Sequence, residues 1–140
     1  MNGGGMGKMD RPGSLPALVL AYVGDAVFEL AVRRRLVEAG LTRVKRLHVE
    51  AVKYVNAGAQ ARILTKIGKM LTGEEAAVVR RGRNAKSPHT PQGVEVLAYR
   101  HSTAFEALVG YLYLKGDAAR LDEILAAAFE AAEGENEAPE

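Results

Sequence analysis

Apolar residues recur at helical spacing through most of this chain. One long apolar period covers residues 15–39, and another begins at Val94 and continues to Leu114, before Gly116 ends it. No segment shows the sustained alternation of apolar and polar residues that is typical of a half-buried strand. The pattern therefore predicts an all-α domain without strands of consequence.

Residues that favour helix ends and turns divide this pattern into six helices. Ser14 is the predicted N-cap of the first helix, and Thr72 with Glu75 has the spacing of a capping box. Segment 80–93 is rich in Gly, Pro, Ser and basic residues and is predicted to be an exposed loop. The predicted helices span about 15–39, 42–55, 59–70, 72–82, 94–114 and 117–132, with a break at 56–58.

The length and composition predict one folded domain. A chain of 140 residues, of which 48% are hydrophobic, can bury one ordinary core but leaves no room for a second module. We expect a flexible N-terminal segment at residues 1–13, a folded domain at 14–132 and an acidic tail at 133–140.

Several features favour a cytoplasmic protein with no membrane partner. The absence of cysteine excludes disulfides and thiolate metal sites and fits a reducing cytoplasm. The N-terminal residues lack the continuous apolar region of a secretory signal. The apolar run at 15–32 has the length of a short membrane span, but Asp25 and Glu29 within it favour a protein interior.

Isolated carboxylates lie within the two long apolar runs. Asp25 and Glu29 are the only charged residues between 15 and 32, and Glu106 is the only one between 103 and 114. An ionised carboxylate in such a run is costly to bury unless it is paired or binds a metal. These positions therefore need a reason beyond packing.

We interpret Asp25 and Glu106 as halves of one metal site. Gly24 precedes Asp25, and Gly110 lies one helical turn after Glu106, so two helices can approach closely at these small residues. Carboxylate oxygens are hard ligands. Because the chain has no cysteine and only three histidines, the sequence favours Mg²⁺ or Mn²⁺ over zinc.

Charge is distributed unevenly, although the net charge is only +2. Residues 33–101 carry 15 Lys and Arg against 5 Asp and Glu, whereas residues 102–140 carry 2 against 9. A basic middle region predicts a surface for a polyanion, with RNA or DNA as the natural candidate. The best candidates for RNA contact combine basic side chains with small polar ones. They are Arg80, Arg81, Arg83, Asn84, Lys86 and Ser87.

Simpler structural explanations compete with these interpretations. Asp25 and Glu106 would also be explained as buried acids paired with an arginine or a helix end. Glu29 stays outside the predicted catalytic set, because Arg33, four residues later, is at least as good a partner for it as a metal-held water. Basic runs are usually solvated faces.

Two motifs, GDAVFEL at 24–30 and STAFEALVGYLYL at 102–114, resemble the paired signature of the ribonuclease III catalytic domain. With RRGRNAKS at 80–87 and the short chain, the match over about residues 15–130 resembles the Mini-ribonuclease III family more closely. That family has the catalytic domain without an appended RNA-binding domain. The resemblance implies the ribonuclease III endonuclease-domain fold, assembled as a helical homodimer with an RNA valley between its subunits.

The same resemblance assigns roles to individual residues. Asp25 and Glu106 match the essential acids of the two signatures, and each subunit would carry one Mg²⁺-dependent site. Tyr22, one turn before Asp25, is expected at the subunit contact. Ala21 and Thr103 stand where full-length ribonuclease III has two further acids, so more metal ligands would come from water and the RNA phosphate.

The implied activity is cleavage of both strands of double-stranded RNA, leaving 5′-phosphate and 3′-hydroxyl ends. The implied substrate is the precursor of 23S ribosomal RNA, and a large-subunit ribosomal protein is an expected partner. The two missing acids leave open a non-catalytic RNA-binding ribosome-assembly factor on the same fold. A hydrolase of small phosphorylated molecules and a plain dimerisation module are further alternatives, and neither predicts the steep salt dependence of RNA binding.

Overall fold

The computed structural model describes residue 9 and residues 11–86 and 90–136. Within these residues the chain forms six α-helices and no strand, as the apolar pattern predicts. None of the helices in this described part has the length and apolar character needed to cross a membrane. The helices are α1 (Ala17–Glu38), α2 (Val44–Val55), α3 (Ala57–Ile67), α4 (Gly73–Asn84), α5 (Val96–Lys115) and α6 (Ala118–Asn136), with 3₁₀ turns at Pro12–Ser14 and Gly68–Met70.

Helix α5 is the centre of the domain. It packs against α1, α3, α4 and α6, and 10 of its 20 residues are buried. Glu95 caps its first turn by accepting hydrogen bonds from the backbone N–H groups of Leu97 (3.0 Å) and Ala98 (2.8 Å). Gly116 ends it in a left-handed conformation with φ 78°. A helix that is apolar on nearly all sides must be covered by its neighbours, so a carboxylate in its middle stands out.

Helices α1 and α5 cross at Gly24 and Gly110. A Cβ atom on Gly24 would lie 1.7 Å from the carbonyl oxygen of Glu106, and a Cβ atom on Gly110 would lie 1.9 Å from that of Leu20. Both distances are far inside van der Waals contact, so only glycine allows the two backbones to approach this closely. The prediction that small residues bring these helices together is confirmed.

An aromatic cluster joins α1, α5 and α6. The ring of Phe28 lies edge-on to Phe105, with centroids 5.0 Å apart, and stacks on Phe129 at 6.0 Å. Phe28 and Phe105 are completely buried. Burial of each side chain contributes roughly 1.5–3 kcal/mol, and the cluster fixes the position of α1 on α5 below the carboxylates.

The last helix extends further than predicted. Helix α6 continues to Asn136 rather than ending near Ala132, so residues 133–136 are not part of an acidic tail. Glu133 accounts for the extension: its carboxylate accepts hydrogen bonds from the Arg35 guanidinium (2.5 and 2.7 Å) and the Tyr54 hydroxyl (3.0 Å). Residues 137–140 lie outside the described residues.

The start of the domain also differs from the prediction. Helix α1 begins at Ala17 with Pro16 at the N-cap, and Ser14 does not cap it. Instead the Ser14 hydroxyl donates a hydrogen bond to the Arg11 carbonyl (2.8 Å) within the preceding 3₁₀ turn. Pro12 of that turn is buried, so the folded part begins before residue 14.

The prediction of an exposed loop at 80–93 is wrong for its first five residues, which form the last turns of α4. Gly82 packs against α5, where an added Cβ would lie 2.7 Å from the Cα of Ala104. Glycine is therefore needed here for close helix packing and not for a turn. Of the remaining loop, residues 87–89 lie outside the described residues.

Candidate active site

Asp25 on α1 and Glu106 on α5 lie side by side. The helix crossing at Gly24 and Gly110 brings the two carboxyl groups close enough for Asp25 to raise the pKa of Glu106. Asp25 is exposed, whereas Glu106 is partly buried. The pair is therefore accessible from solvent on the side of Asp25 and held inside the domain on the side of Glu106.

Burial and nearby negative charge make Glu106 a weak acid. Burial first, and then the Asp25 carboxylate, raise the pKa of Glu106 to about 8. Glu29 adds to the same negative field, although it also forms the expected ion pair with Arg33 (3.5 Å). A cation placed against the carboxylates would offset this repulsion and favour the ionised form of Glu106.

Gln60 on α3 is a residue of this site that the sequence analysis missed. Its side chain is 1% exposed; its Nε2 donates to Oε2 of Glu106 (3.4 Å), and its Oε1 accepts a hydrogen bond from the Ser102 hydroxyl. The sequence held a signal, because Gln60 stands on the buried stripe of α3 with Ile63 and Ile67. A polar side chain on such a stripe must find a buried partner.

The donor set fits a hard divalent cation. Ala21 and Thr103 provide no further carboxylate, and the Thr103 hydroxyl donates to the Tyr99 carbonyl of its own helix (3.0 Å). Across the described ranges, no group of three or more His, Cys, Asp or Glu side chains is arranged to hold a metal. Two carboxylates fit Mg²⁺ or Mn²⁺, which accept water and phosphate as remaining ligands, better than zinc.

Asp25 opens onto a depression in the surface. The depression is also lined by Tyr22, Glu29, Leu30 and Tyr113. Tyr22 is 81% exposed and Leu30 is 69% exposed. Large apolar side chains grouped at the surface are typical of a face that another molecule covers.

The predicted RNA-binding residues lie at and beyond the C-terminal end of α4. Arg80 and Asn84 are exposed and Arg83 is partly buried within the helix, while Lys86 is exposed just after it. Ser87 lies outside the described residues. The helical turn therefore displays three of these polar side chains from a fixed backbone.

Arg81 has a structural contact that its neighbours lack among the hydrogen bonds described. Its guanidinium donates to the backbone carbonyl of Gly13 (2.7 Å) and to that of Leu15 (2.5 Å). These bonds fasten the residues before α1 to α4. Part of the donor capacity of Arg81 is therefore used inside the protein.

Comparisons with known proteins identify the family of this chain. Residues 18–117 match the Ribonuclease III domain. A Mini-ribonuclease 3 from Symbiobacterium thermophilum is 53% identical over 121 residues, which are 86% of this chain and 93% of the relative. One from Thermoanaerobacter sp. is 54% identical over 112 residues, covering 80% and 79% of the two chains.

A solved structure supports the same fold. The crystal structure of a protein from Fusobacterium nucleatum is similar with a TM-score of 0.77 at 28% identity, covering 87% of this chain and 98% of that one. The expected ribonuclease III endonuclease-domain fold is confirmed. Asp25 and Glu106 both fall inside the matched domain, and the chain belongs to the Mini-ribonuclease III branch of the ribonuclease III family of endoribonucleases.

Proposed function

We propose that Asp25 and Glu106 bind Mg²⁺, for which Mn²⁺ can substitute, and serve the hydrolysis of both strands of double-stranded RNA. The products carry 5′-phosphate and 3′-hydroxyl ends. The observation that carries this proposal is the close α1–α5 crossing at Gly24 and Gly110, which places Asp25 near enough to Glu106 to raise its pKa. When bound, the ion supplies Lewis-acid chemistry at a phosphate oxygen and lowers the pKa of a water molecule.

The two carboxylates have different tasks. Asp25 is exposed at the surface depression, where its carboxylate would be accessible to the ion and to the RNA backbone. Glu106 is partly buried, and its backbone is held by the helix packing at Gly24, so its position is set before substrate arrives. A carboxylate fixed in advance spends little free energy on reorganisation during the reaction.

The end of α4 and the segment that follows it are proposed to bind the RNA backbone. Exposed side chains on a fixed helical turn can contact phosphates and 2′-hydroxyls across a shallow minor groove. Because such contacts release counterions, the affinity for RNA falls steeply with salt. The proposed residues are Arg80, Arg81, Arg83, Asn84, Lys86 and Ser87.

The protein is proposed to act as a homodimer with Tyr22 at the subunit contact. Tyr22 and Leu30 are both largely exposed and lie together beside Asp25, as is typical of a face that another molecule covers. A two-fold axis through this face would place two sites across one RNA duplex.

The physiological substrate is proposed to be the 23S ribosomal RNA precursor, cut in the cytoplasm where its 5′ and 3′ ends pair. Support comes from the identity of more than 50% to proteins named Mini-ribonuclease 3. A large-subunit ribosomal protein is proposed to present the RNA to this small helical domain.

Cleavage of labelled RNA tests the proposal. End-labelled RNA duplex, its single strand and the matching DNA duplex are incubated with the protein at low salt, in Mg²⁺, Mn²⁺ or EDTA. We expect cuts in duplex RNA alone, present with either ion, absent in EDTA, and abolished in Asp25→Asn and Glu106→Gln. Melting temperatures of both variants show whether they remain folded.

The same experiment distinguishes the alternative of a non-catalytic assembly factor. That protein would bind the RNA duplex without cutting it, and Asp25→Asn would leave its binding unchanged. Duplex cleavage that survives in either carboxylate variant would show that the active site lies elsewhere.

A further inference from the structure

Two buried side chains hold Glu106 from inside the domain. Gln60 is 1% exposed and Ser102 is 7% exposed. The Ser102 hydroxyl donates to Oε1 of Gln60, and Nε2 of Gln60 donates to Oε2 of Glu106 at 3.4 Å. Among the described residues, no buried side-chain nitrogen or oxygen lacks a hydrogen-bond partner. The three polar groups therefore form a chain from the interior to the carboxylate pair.

The chemistry of Ser102, Gln60 and Glu106 fixes which group donates each hydrogen bond. Glu106 must be ionised to bind a cation, and an ionised carboxylate only accepts hydrogen bonds, so in that form the amide of Gln60 turns its NH₂ group to Glu106. The amide oxygen then faces Ser102, whose hydroxyl must donate. A flipped Gln60 amide would turn its oxygen to the ionised carboxylate of Glu106, which has no proton to donate, and so would lose that bond.

The helices hold these side chains in place. Ser102 and Glu106 are four residues apart and lie on the same face of α5, so Gln60 of α3 bridges one turn of that helix. Helix α3 is itself anchored by the buried side chains of Ile63 and Ile67. The Gln60 amide is therefore positioned by a helix and not by a loop.

We propose that Gln60, held by Ser102, is a positioning residue that orients the Glu106 carboxylate for the metal ion. The inference rests on the proposed role of Glu106 as a metal ligand. Gln60 engages one oxygen of Glu106 and leaves the other available. As a neutral donor it adds no negative charge to a pair of carboxylates that already repel each other.

The orientation of Glu106 by Gln60 is important because the proposed metal site has few protein ligands. Ala21 and Thr103 contribute no carboxylate, so the proposed site has only Asp25 and Glu106 as its carboxylate ligands. Hydrogen-bond partners of metal ligands typically change metal affinity or activity by about 10–100-fold when they are removed. With only two carboxylates, the orientation of each one matters more.

The test removes the hydrogen bonds from Ser102 to Gln60 and from Gln60 to Glu106 in two steps. Gln60→Met keeps the size of the side chain and removes both hydrogen bonds, and Ser102→Ala removes one hydroxyl. Mn²⁺ binding is measured by electron paramagnetic resonance, and kcat and KM for duplex RNA are measured in Mg²⁺. Thr65→Ala is the control, because the Thr65 hydroxyl on the same helix α3 donates to the Ala61 carbonyl at the surface.

We expect Gln60→Met to weaken Mn²⁺ binding by about 10–100-fold and to lower kcat while KM for RNA stays unchanged. Ser102→Ala should act in the same direction to a smaller extent. Because Ser102 acts through Gln60, the double variant should match Gln60→Met alone. Thr65→Ala should bind Mn²⁺ and cut RNA as the wild-type protein does.

Melting temperatures separate positioning from folding. If Gln60→Met does not fold, Mn²⁺ affinity and kcat of Ser102→Ala decide the question. Folded variants with wild-type Mn²⁺ affinity and kcat would overturn the inference and leave the metal site standing. A wild-type protein that binds no Mn²⁺ and cuts RNA in EDTA would overturn the proposed function, and the inference with it.

Discussion

At the scale of single residues, Gly24 determines whether the carboxylate pair can form. In Gly24→Ala the added methyl group would overlap the carbonyl oxygen of Glu106, 1.7 Å away, and only a shift of α1 from α5 can relieve it. We expect a loss of about 3 kcal/mol or more in the free energy of unfolding, the upper end for an overpacked core. Urea unfolding followed by circular dichroism measures it.

Gly134→Ala is the matched control for that prediction. Gly134 lies in α6, and a Cβ atom there would meet nothing within 4 Å. Alanine favours a helix over glycine, so this variant should be stabilised by roughly 0.5–1 kcal/mol. Equal effects of the two substitutions would contradict the tight crossing of α1 and α5.

The same residues show how far the sequence predicts the site. Asp25 and Glu106 were found because each is an isolated charge in an apolar run, and Gly24 and Gly110 explain how they can meet. Gln60 was missed although it stands on the apolar stripe of α3, because an uncharged amide is a weaker signal than an isolated charge. Its importance comes from α3 packing beside α5, which periodicity along one helix does not reveal.

At the scale of elements, an ion pair joins the start of α4 to α6. Arg120 donates to both carboxylate oxygens of Glu75 (2.8 Å each) and to the Met70 carbonyl (2.7 Å). The hydrogen bond from Arg120 holds the pKa of Glu75 below its ordinary value of 4.5, although burial acts in the opposite direction. A lowered pKa in the folded state means that ionised Glu75 stabilises the fold.

This ion pair predicts a pH dependence of stability. Arg120→Met leaves Glu75 buried without its partner and should lower the free energy of unfolding by roughly 3 kcal/mol at neutral pH. The contribution is fully present above about pH 4.5 and is lost as the pH falls through the lowered pKa of Glu75. In urea unfolding from pH 7 to pH 3, the difference in the free energy of unfolding between the wild-type protein and Arg120→Met should become smaller at acid pH. A difference that does not change with pH would show that Arg120→Met destabilises the protein through lost packing alone.

Two neighbouring arginines near the end of α4 are expected to have different roles, one in RNA binding and one in stability. Arg80 is exposed, whereas Arg81 bonds two backbone carbonyls before α1. Arg80→Ala should reduce the slope of log affinity against log salt by about 1, with little change in stability. Arg81→Met should lower the free energy of unfolding by roughly 1 kcal/mol. Fluorescence anisotropy with an RNA duplex and urea unfolding measure the two effects, and the prediction fails if Arg80 proves to be the stabilising residue.

The boundaries of the helices were predictable where a side chain acts locally. Thr72 and Glu75 form the expected capping box, and the break at 56–58 falls at Asn56, whose side chain caps α3. The boundary at Ser14 was wrong because its hydroxyl bonds Arg11 within a 3₁₀ turn, and the boundary at Ala132 was wrong because contacts distant in sequence decide it. Glu133 extends α6 by bonding α1 and α2, and no local pattern contains that information.

At the scale of the whole molecule, one face of α1 is unlike the rest of the surface. The helix is apolar on several sides, but only part of it can face α5. Leu18, Val19, Tyr22 and Leu30 remain exposed to between 38% and 81%. The sequence indicated this excess, because charged residues are nearly absent from the first four turns of α1.

If this face joins two copies, the assembly should depend on Tyr22 and Leu30. A double variant, Tyr22→Ser with Leu30→Ser, should sediment as a monomer at concentrations where the wild-type protein is a dimer. Its melting temperature should be lower, because dimerisation stabilises the folded state by mass action. Val49→Ser on α2 is the control, since Val49 is 56% exposed outside the depression beside Asp25 and should leave the sedimentation coefficient unchanged. A wild-type protein that sediments as a monomer at all concentrations, or a double variant that stays dimeric, would mean that the apolar face of α1 has another occupant.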